Sequence, residues 1–402
     1  MRIPRVGRTT VPDTSVRNHP GESVDLELTD DQQELRDNVR TVLEDACPAA
    51  TVRALHEGEG DAAALWDTMA ELYWPALGID EAHGGLGLGF VEVALLAEEL
   101  GRATAPGPLL ATVSQFVPVV REIGGEPAGS LLSDVAAGTC RATVAWGGDG
   151  WGPDGVAVTA TREGDGWRLD GTAGAVLCGA DADRVAVVVR GPGTVADAGL
   201  GVVVVDPADG QVHPRPVLDP TLPLADIDLS GCVVTGGAVL APPGTPGVAE
   251  AVERAGQEAA VAMALSTVGA SRRIFELTVE YAKVREQYDR VIGSFQALKH
   301  RLADMYLAVE RANAVGYYAA LTIAEDDERR GEAAHLAKAA AGDCQRLLAE
   351  DGLQLHGGIG YTWEHDLHFL LKRAKAGEVL CGPASYHRAR LAHRLGLTEE
   401  SA

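Results

Sequence analysis

The residues Glu378-Val379-Leu380-Cys381-Gly382-Pro383-Ala384-Ser385 close a long run that reads as helix, and Gly382 and Pro383 stop it. Cys381 is left beside a turn able to face a ligand. A cysteine is a base or nucleophile only as thiolate, and its ordinary pKa of about 8.5 must first be lowered by a cation or a helix N-terminus. Cys381 instead follows a helix C-terminus, whose dipole disfavours an anion. A second group lies between two long helical runs. Arg285, Gln287, Arg290 and Gln296 surround Ile292-Gly293. They are either a solvated turn or a binding set: Arg285 offers a planar fork for phosphate, Gln287 and Gln296 offer amides, and Phe295 offers a flat ring. A third feature is Gly357-Gly358 after a helical run. It is either a plain C-cap, since glycine tolerates positive φ, or a place where missing side chains let a ligand approach the backbone. His356, His365 and His368 stand near Glu364 and Asp366. Metal ligands must converge on one point, and these read instead as packed histidines and solvated charges, so no metal is expected.

Several sites are missing. No G-x-G-x-x-G follows a strand and no Walker A loop occurs, so a dinucleotide here is not held Rossmann-fashion. No G-x-S-x-G elbow supports a serine nucleophile.

Three regions must position these residues. After an extension over 1–24, residues 25–138 read as an N-terminal helical domain. Thr29-Asp30-Asp31-Gln32 fits a capping box, and Leu35, Val39, Val42 and Leu43 follow at helical spacing. Residues 139–245 switch to short segments of period two, with a hairpin turn at Gly164-Asp165-Gly166, and predict a small β-barrel or sandwich. Residues 246–402 return to long alanine-rich helices and predict a four-helix bundle.

The formal net charge of −24 over 402 residues opposes nucleic-acid binding, which needs clustered Lys and Arg. It equally opposes an anionic membrane surface, and no apolar run reaches the roughly 18 residues of a span. The six cysteines, Cys47, Cys140, Cys178, Cys232, Cys344 and Cys381, form no C-x-x-C pair. They suit a reducing cytoplasm. The extension carries Arg2, Arg5, Arg8 and Arg17 without an apolar core; it is read as disordered and not as a secretory signal.

With these parts in place, the chain resembles the acyl-CoA dehydrogenase family from about residue 26 onward. Two segments carry the likeness: Arg285-Glu-Gln-Tyr-Asp-Arg-Val-Ile-Gly-Ser-Phe-Gln296, and Gln354-Leu-His-Gly-Gly-Ile-Gly-Tyr-Thr362 with the helix after it. "LGIDEAHGGLGL" resembles the family's N-domain loop. The resemblance implies helical, β-barrel and helical-bundle domains, FAD as cofactor, and α,β-dehydrogenation of an acyl-CoA or acyl-carrier-protein thioester with hydride transfer to flavin N5. It implies an electron-accepting flavoprotein and an oligomer that shares FAD. Arg285, Gln287, Tyr288, Phe295 and Gln296 of one subunit are expected at the FAD adenosine and pyrophosphate, with Gln354, Gly357 and Gly358 coming from its neighbour.

Four departures matter. Asp289 stands where the family has glycine. "AWGGDGWGPDG" at 145–155 lacks the hydroxyls of the family's Thr-Glu-Pro-x-x-Gly-Ser-Asp. "GTAGAVLCGADAD" lacks the Trp-Ile-Thr that lies on the isoalloxazine. Cys381 replaces the glutamate base; its backbone N–H still meets the thioester oxygen, as an oxyanion donor does, but the carboxylate is gone. Some relatives carry the base on the first bundle helix, and Glu258 lies one residue from that position, so Glu258 is the tentative base. Two alternatives accompany dehydrogenation: a non-catalytic or half-site subunit of a heteromer, and a flavin monooxygenase or oxidase on the same scaffold.

Overall fold

The computed structural model describes residues 27–147, 151, 155–194 and 199–397. The extension expected over 1–24 lies outside them.

Helix α1 (Asp30–Ala46) begins at the predicted capping box: the Gln32 N–H donates to Thr29 Oγ1 at 3.2 Å and the Thr29 N–H to Gln32 Oε1 at 3.1 Å. It is followed by α2 (Ala49–His56), α3 (Ala63–Glu71), α4 (Phe90–Arg102), α5 (Leu109–Ala111), α6 (Val117–Ile123) and α7 (Glu126–Ala136). Between α5 and α6 the five buried residues Thr112–Phe116 widen into a π turn. Such turns often mark functional sites, and this one presents Gln115 to the cavity described below.

The chain then forms β1 (Ala142–Ala145), β2 (Thr159–Glu163), β3 (Gly166–Asp170), β4 (Thr172–Leu177), β5 (Arg184–Arg190), β6 (Leu200–Val205), β7 (Gln211–Arg215), β8 (Leu224–Asp228), β9 (Val233–Val234) and β10 (Val239–Ala241). One sheet runs β10-β6-β5-β2-β3-β9 with β1 on β5, and a smaller one runs β4-β8-β7. The expected barrel is therefore two sheets; among the described residues the ladders do not close into a ring. The β2–β3 hairpin turns at Gly164-Asp165, because Glu163 already pairs with Gly166. Gly164 takes φ +56°, as a tight hairpin requires.

The last part contains α8 (Val248–Val284), a small hairpin of β11 (Glu286–Gln287) and β12 (Arg290–Val291), α9 (Gln296–Ala324), α10 (Arg330–His356), α11 (Leu367–Val379) and α12 (Ala384–Arg394). Helix α8 is the central rod. Its small residues let α4 cross closely: a Cβ on Gly101 would lie 1.9 Å from the Ser266 carbonyl oxygen, and one on Gly269 2.0 Å from that of Glu98. The buried Glu98 carboxylate ties three helices by accepting from Tyr317 Oη at 2.6 Å, Asn313 Nδ2 at 3.1 Å and Arg272 Nε at 3.3 Å. Buried charge needs such partners. Helices α8 and α10 run the same way: Arg330 meets Gln257 at one end and Gly352 approaches Ile274 further along. This direction decides where the candidate site residues fall.

Candidate active site

Cys381 closes a cavity of about 730 Å³ between β1, β4 and the turn joining α11 to α12. That volume is within the usual range for small-molecule sites. Cys381 and Gly382 both take left-handed conformations, with φ +57° and +88°. For a cysteine this costs on the order of 1 kcal/mol and persists only if the surroundings hold it. They do so through three carbonyls. The Lys338 ammonium donates to the Glu378 and Gly382 oxygens, both at 2.8 Å. His387 Nε2 donates to the Cys381 oxygen at 2.7 Å. No acceptor takes the Cys381 N–H among the described residues. Burial pushes the thiol up to about 12 against the pull of Lys338, so the side chain stays protonated at neutral pH. Lys338 is 1% exposed, and burial lowers it to about 8, with Cys381 and Glu378 pulling the other way.

The opposite wall is made of small residues. In place of Trp-Ile-Thr, β4 has Gly174-Ala175 at a shift of register between Ala173 and Val176. Gly174 donates to the Gly147 oxygen at 3.0 Å, and the Ala175 N–H to Asp226 Oδ1 at 2.9 Å. Asp226 also pairs with Arg215, which lines the cavity. Of the 145–155 stretch, Trp146 is held by Gln115, whose Oε1 accepts from Trp146 Nε1 at 3.0 Å, and its ring meets Trp151 at 5.1 Å. Residues 148–150 and 152–154 lie outside the described set.

The second group forms an exposed cradle. Tyr288 and Asp289 turn the β11–β12 hairpin with φ +54° and +59°. Aspartate is among the few side chains that tolerate this region, which accounts for Asp289 at this turn. Tyr288 is 87% exposed, and Arg285, Gln287 and Gln296 are exposed beside it. Phe295 carries the Arg290 guanidinium on one face at 4.0 Å, leaving only the other for stacking. Gln354, Gly357 and Gly358 adjoin this patch on the same chain, because Tyr281, one turn before Arg285, stacks on His356 at 4.7 Å. On one chain the two groups lie side by side, because parallel α8 and α10 bring both to one end of the bundle. A Cβ added to Gly357 or Gly358 would meet nothing within 4 Å.

The cavity and the cradle are far apart. Trp151 packs by Gly256 near the start of α8. Gly377, four residues before Cys381, packs on Thr267 of α8, and Arg285 lies 18 residues further along that helix, which at 1.5 Å per residue is roughly 27 Å.

Glu258 belongs to neither. It is 3% exposed, accepts from Arg121 Nη2 at 2.5 Å and has Arg330 at 3.7 Å. Burial raises its pKa, and the two arginines oppose that. It does not line the Cys381 cavity. The rotation of one residue from the family position turns it toward α6 and α10. Glu258→Gln is therefore expected to lower stability by about 3 kcal/mol, because it leaves buried arginine charge short of a partner. Dehydrogenation should stay within twofold; thermal melting and turnover of the variant check both, and lost turnover in folded protein would restore Glu258 as base.

The histidines near Gly357 pack rather than converge. His356 meets His365 at 4.8 Å and His368 meets Trp363 at 4.6 Å. Among the described residues no group of three potential ligands could hold a metal. Lys338, His387 and Gln115 hold the walls of the cavity, and no linear motif marks them. A signal for Lys338 existed: it is a lone charge on a stripe with Ala334, Ala341 and Gln345.

Two family models match: "Acyl-CoA dehydrogenase, N-terminal domain" over residues 29–128 and "Acyl-CoA dehydrogenase, C-terminal domain" over 247–396. The chain is 31% identical over 355 residues to acyl-CoA dehydrogenase IpdE2 of Mycobacterium tuberculosis, covering 86% of this chain and 91% of that one. The solved ChsE4-ChsE5 complex from Mycobacterium tuberculosis is similar at 26% identity and TM-score 0.82, over 93% of this chain and 100% of the matched one. Butyryl-CoA dehydrogenase from Megasphaera elsdenii shares the fold, with TM-score 0.84 at 22% identity, over 92% and 99%.

Proposed function

Because this chain belongs to the acyl-CoA dehydrogenase family, we propose that it dehydrogenates an acyl thioester in the Cys381 cavity, with FAD held between two chains. The chain is an acyl-CoA dehydrogenase-like oxidoreductase, and the relatives do not favour a monooxygenase. What supports the shared cofactor is the separation of cavity and cradle along α8, roughly 27 Å from Thr267 to Arg285. One dinucleotide does not bridge that length, so the cradle of one chain serves the cavity of another.

The residues present fit FAD. Arg285, Gln287, Tyr288, Phe295, Gln296, Gln354 and the open backbone of Gly357-Gly358 would hold its adenosine and pyrophosphate. The small wall at Gly174-Ala175 leaves room for its ring. When bound, FAD supplies the acceptor for the β-hydride at N5. The chain's own residues act on the thioester. The Cys381 N–H donates to the carbonyl oxygen, which acidifies the α-proton. Lys338 and His387 hold that N–H in place, and the buried ammonium adds positive potential where the enolate charge develops. The electron acceptor beyond FAD would be a separate flavoprotein. Neither CoA nor a carrier protein is preferred by these contacts.

A second reading concerns the partner chain. No carboxylate is among the described residues that line the Cys381 cavity, and the similar ChsE4-ChsE5 structure is a complex of two different chains. A related subunit that brings its own base fits that gap. The six free cysteines agree with a reducing compartment, and no helix among the described residues is long and apolar enough to cross a membrane.

The test is flavin stoichiometry against assembly. FAD should travel only with dimers or larger species, and these should reduce a dye with butyryl-CoA, strongly when a related subunit is co-expressed. A monomer carrying one FAD would overturn the shared-cofactor reading.

A further inference from the structure

Helix α10 brings two polar side chains toward the Cys381 turn from one face, His335 and, one helical turn later, Lys338. The helix is seated closely there: a Cβ on Gly342 would lie 2.8 Å from Ala384 Cβ and 3.3 Å from Glu378 Cγ. Lys338 holds the Glu378 and Gly382 carbonyls, which flank Cys381. The Cys381 carbonyl itself is held by His387 of α12. Among the described residues His335 bonds to no carbonyl of the turn. Its Nδ1 lies 2.9 Å from Nδ1 of His387, so its influence on the turn passes through that ring.

Two hydrogen bonds on one ring leave a single arrangement of protons. The Cys381 carbonyl oxygen can only accept, so His387 Nε2 donates to it at 2.7 Å. In the neutral ring His387 Nδ1 is then a lone-pair acceptor, and the proton between the two histidines belongs to His335 Nδ1. The reverse order, with neutral His387 protonated at Nδ1, would set a lone pair of Nε2 against the carbonyl oxygen. A charged His387 could donate at both ends, but burial holds it far below the ordinary histidine range, to about 3, and lowers His335 to about 4. His335 therefore decides which nitrogen of His387 carries the proton, because the tautomer of one ring nitrogen is set by the bond the other makes. The bond matters because Cys381, at φ +57° with Gly382 following at +88°, is strained, and such a conformation persists only where its surroundings impose it. The His387 ring lies hard against this turn: a Cβ on Gly382 would lie 3.0 Å from Nε2. The N–H and C=O of one residue are linked by its own φ and ψ alone, so fixing the Cys381 carbonyl also aims the Cys381 N–H.

We infer that His335 is a positioning residue for the thioester: through His387 it locks the Cys381 carbonyl and so points the Cys381 N–H at the substrate's carbonyl oxygen. This rests on the acyl-thioester reading above and adds to it a residue that touches no reacting atom. Two exchanges separate this role from packing. Phenylalanine at 335 keeps a ring in the same space and donates nothing. Asparagine places its Nδ2 where the histidine has Nδ1, two bonds from Cβ, and still donates to His387.

The test uses the purified full-length chain with FAD present. Two-bond ¹H–¹⁵N spectra of histidine-labelled protein read the tautomers, and the infrared C=O stretch of bound [1-¹³C]butyryl-CoA reads how strongly the Cys381 N–H polarises the ester. In the unsubstituted chain His387 should carry its proton on Nε2 and His335 on Nδ1, the form that a neutral histidine in water disfavours. The stretch of the bound ester should lie below its value in water. In His335→Phe, His387 should become a mixture of tautomers and most of that downshift should vanish, while ester affinity stays within about twofold. His335→Asn should restore both, a recovery that mere packing of the ring would not give. A downshift equally large in His335→Phe and in the unsubstituted chain overturns this inference and leaves the dehydrogenase reading standing. So does a His335 proton found on Nε2 in the unsubstituted chain, a result that needs no variant to fold. If the unsubstituted chain binds no ester, both readings fall.

Discussion

Gly358→Val yields a folded chain that no longer retains FAD. Gly358 is not among the residues with left-handed φ, and a Cβ there meets no atom within 4 Å. Within one chain the substitution is therefore a surface change, expected to move stability by no more than about 0.5 kcal/mol. Valine does protrude where the backbone would lie against a pyrophosphate. Displacing the cofactor by even one methyl-sized step forfeits hydrogen bonds to charged oxygens worth about 1.5–3 kcal/mol each. Losing two of them weakens FAD by at least about a hundredfold. Gly357→Val is a poorer probe, since φ +61° adds backbone strain of its own. Gly352 is poorer still, because a Cβ there would lie 2.7 Å from Ile274 Cγ2 inside the bundle. The flavin-to-protein absorbance ratio after gel filtration, with the melting curve as control, reads the result. A Gly358→Val protein that keeps FAD at undiminished affinity would remove the glycine doublet from the cofactor site.

What could be read from the sequence divides by the range of the interactions involved. The Thr29–Gln32 cap and the strand pair around Gly164 are local, set by side chains three residues apart or by a turn, and both appear in the structure as the residue types require. The helices α8 to α10 announce themselves by length and alanine content. Closure of the β region does not, because whether β4 joins the large sheet or pairs with β8 depends on contacts some fifty residues away. The candidate site divides the same way. Arg285, Gln296 and the glycine doublet stand in short linear motifs. Their meeting on one chain depends on α8 and α10 running parallel, which no local pattern encodes. Counting along the helix puts the family's alternative base position at Ala259, and Glu258 stands one residue, about 100° of rotation, away. That rotation places its carboxylate on Arg121 instead of in the cavity. Lys338 and His387 act through backbone carbonyls forty and forty-four residues from Lys338 and six from His387. Such contacts leave no sequence signature beyond an isolated polar residue on a buried face.

Cys381→Glu should turn the isolated chain into a faster dehydrogenase, by about 10²- to 10⁴-fold, the usual worth of a positioned general base. The turn is already built for it. Position 381 is in the left-handed region with a non-glycine residue, so the exchange adds no new backbone constraint. The cavity of about 730 Å³ has space for the longer side chain. The nearest buried cation is Lys338, now bonded only to two carbonyls. Burial at this position outweighs the pull of Lys338 on the thiol, so a carboxyl here would sit above its ordinary value near 4.3, with the ammonium limiting the rise. It acts as proton acceptor once ionised. The rate should accordingly rise with pH as the carboxyl loses its proton, through a midpoint above the ordinary glutamate value. Adding Lys338→Met to the same chain removes the attraction and leaves burial, which raises a carboxyl; the midpoint should then move higher still. Single-turnover bleaching of bound flavin by butyryl-CoA measures both effects. If Cys381→Glu binds FAD and the ester normally but is no faster than the unsubstituted chain, the missing carboxylate is not what limits this site, and the proton must already have an acceptor that Cys381 does not replace.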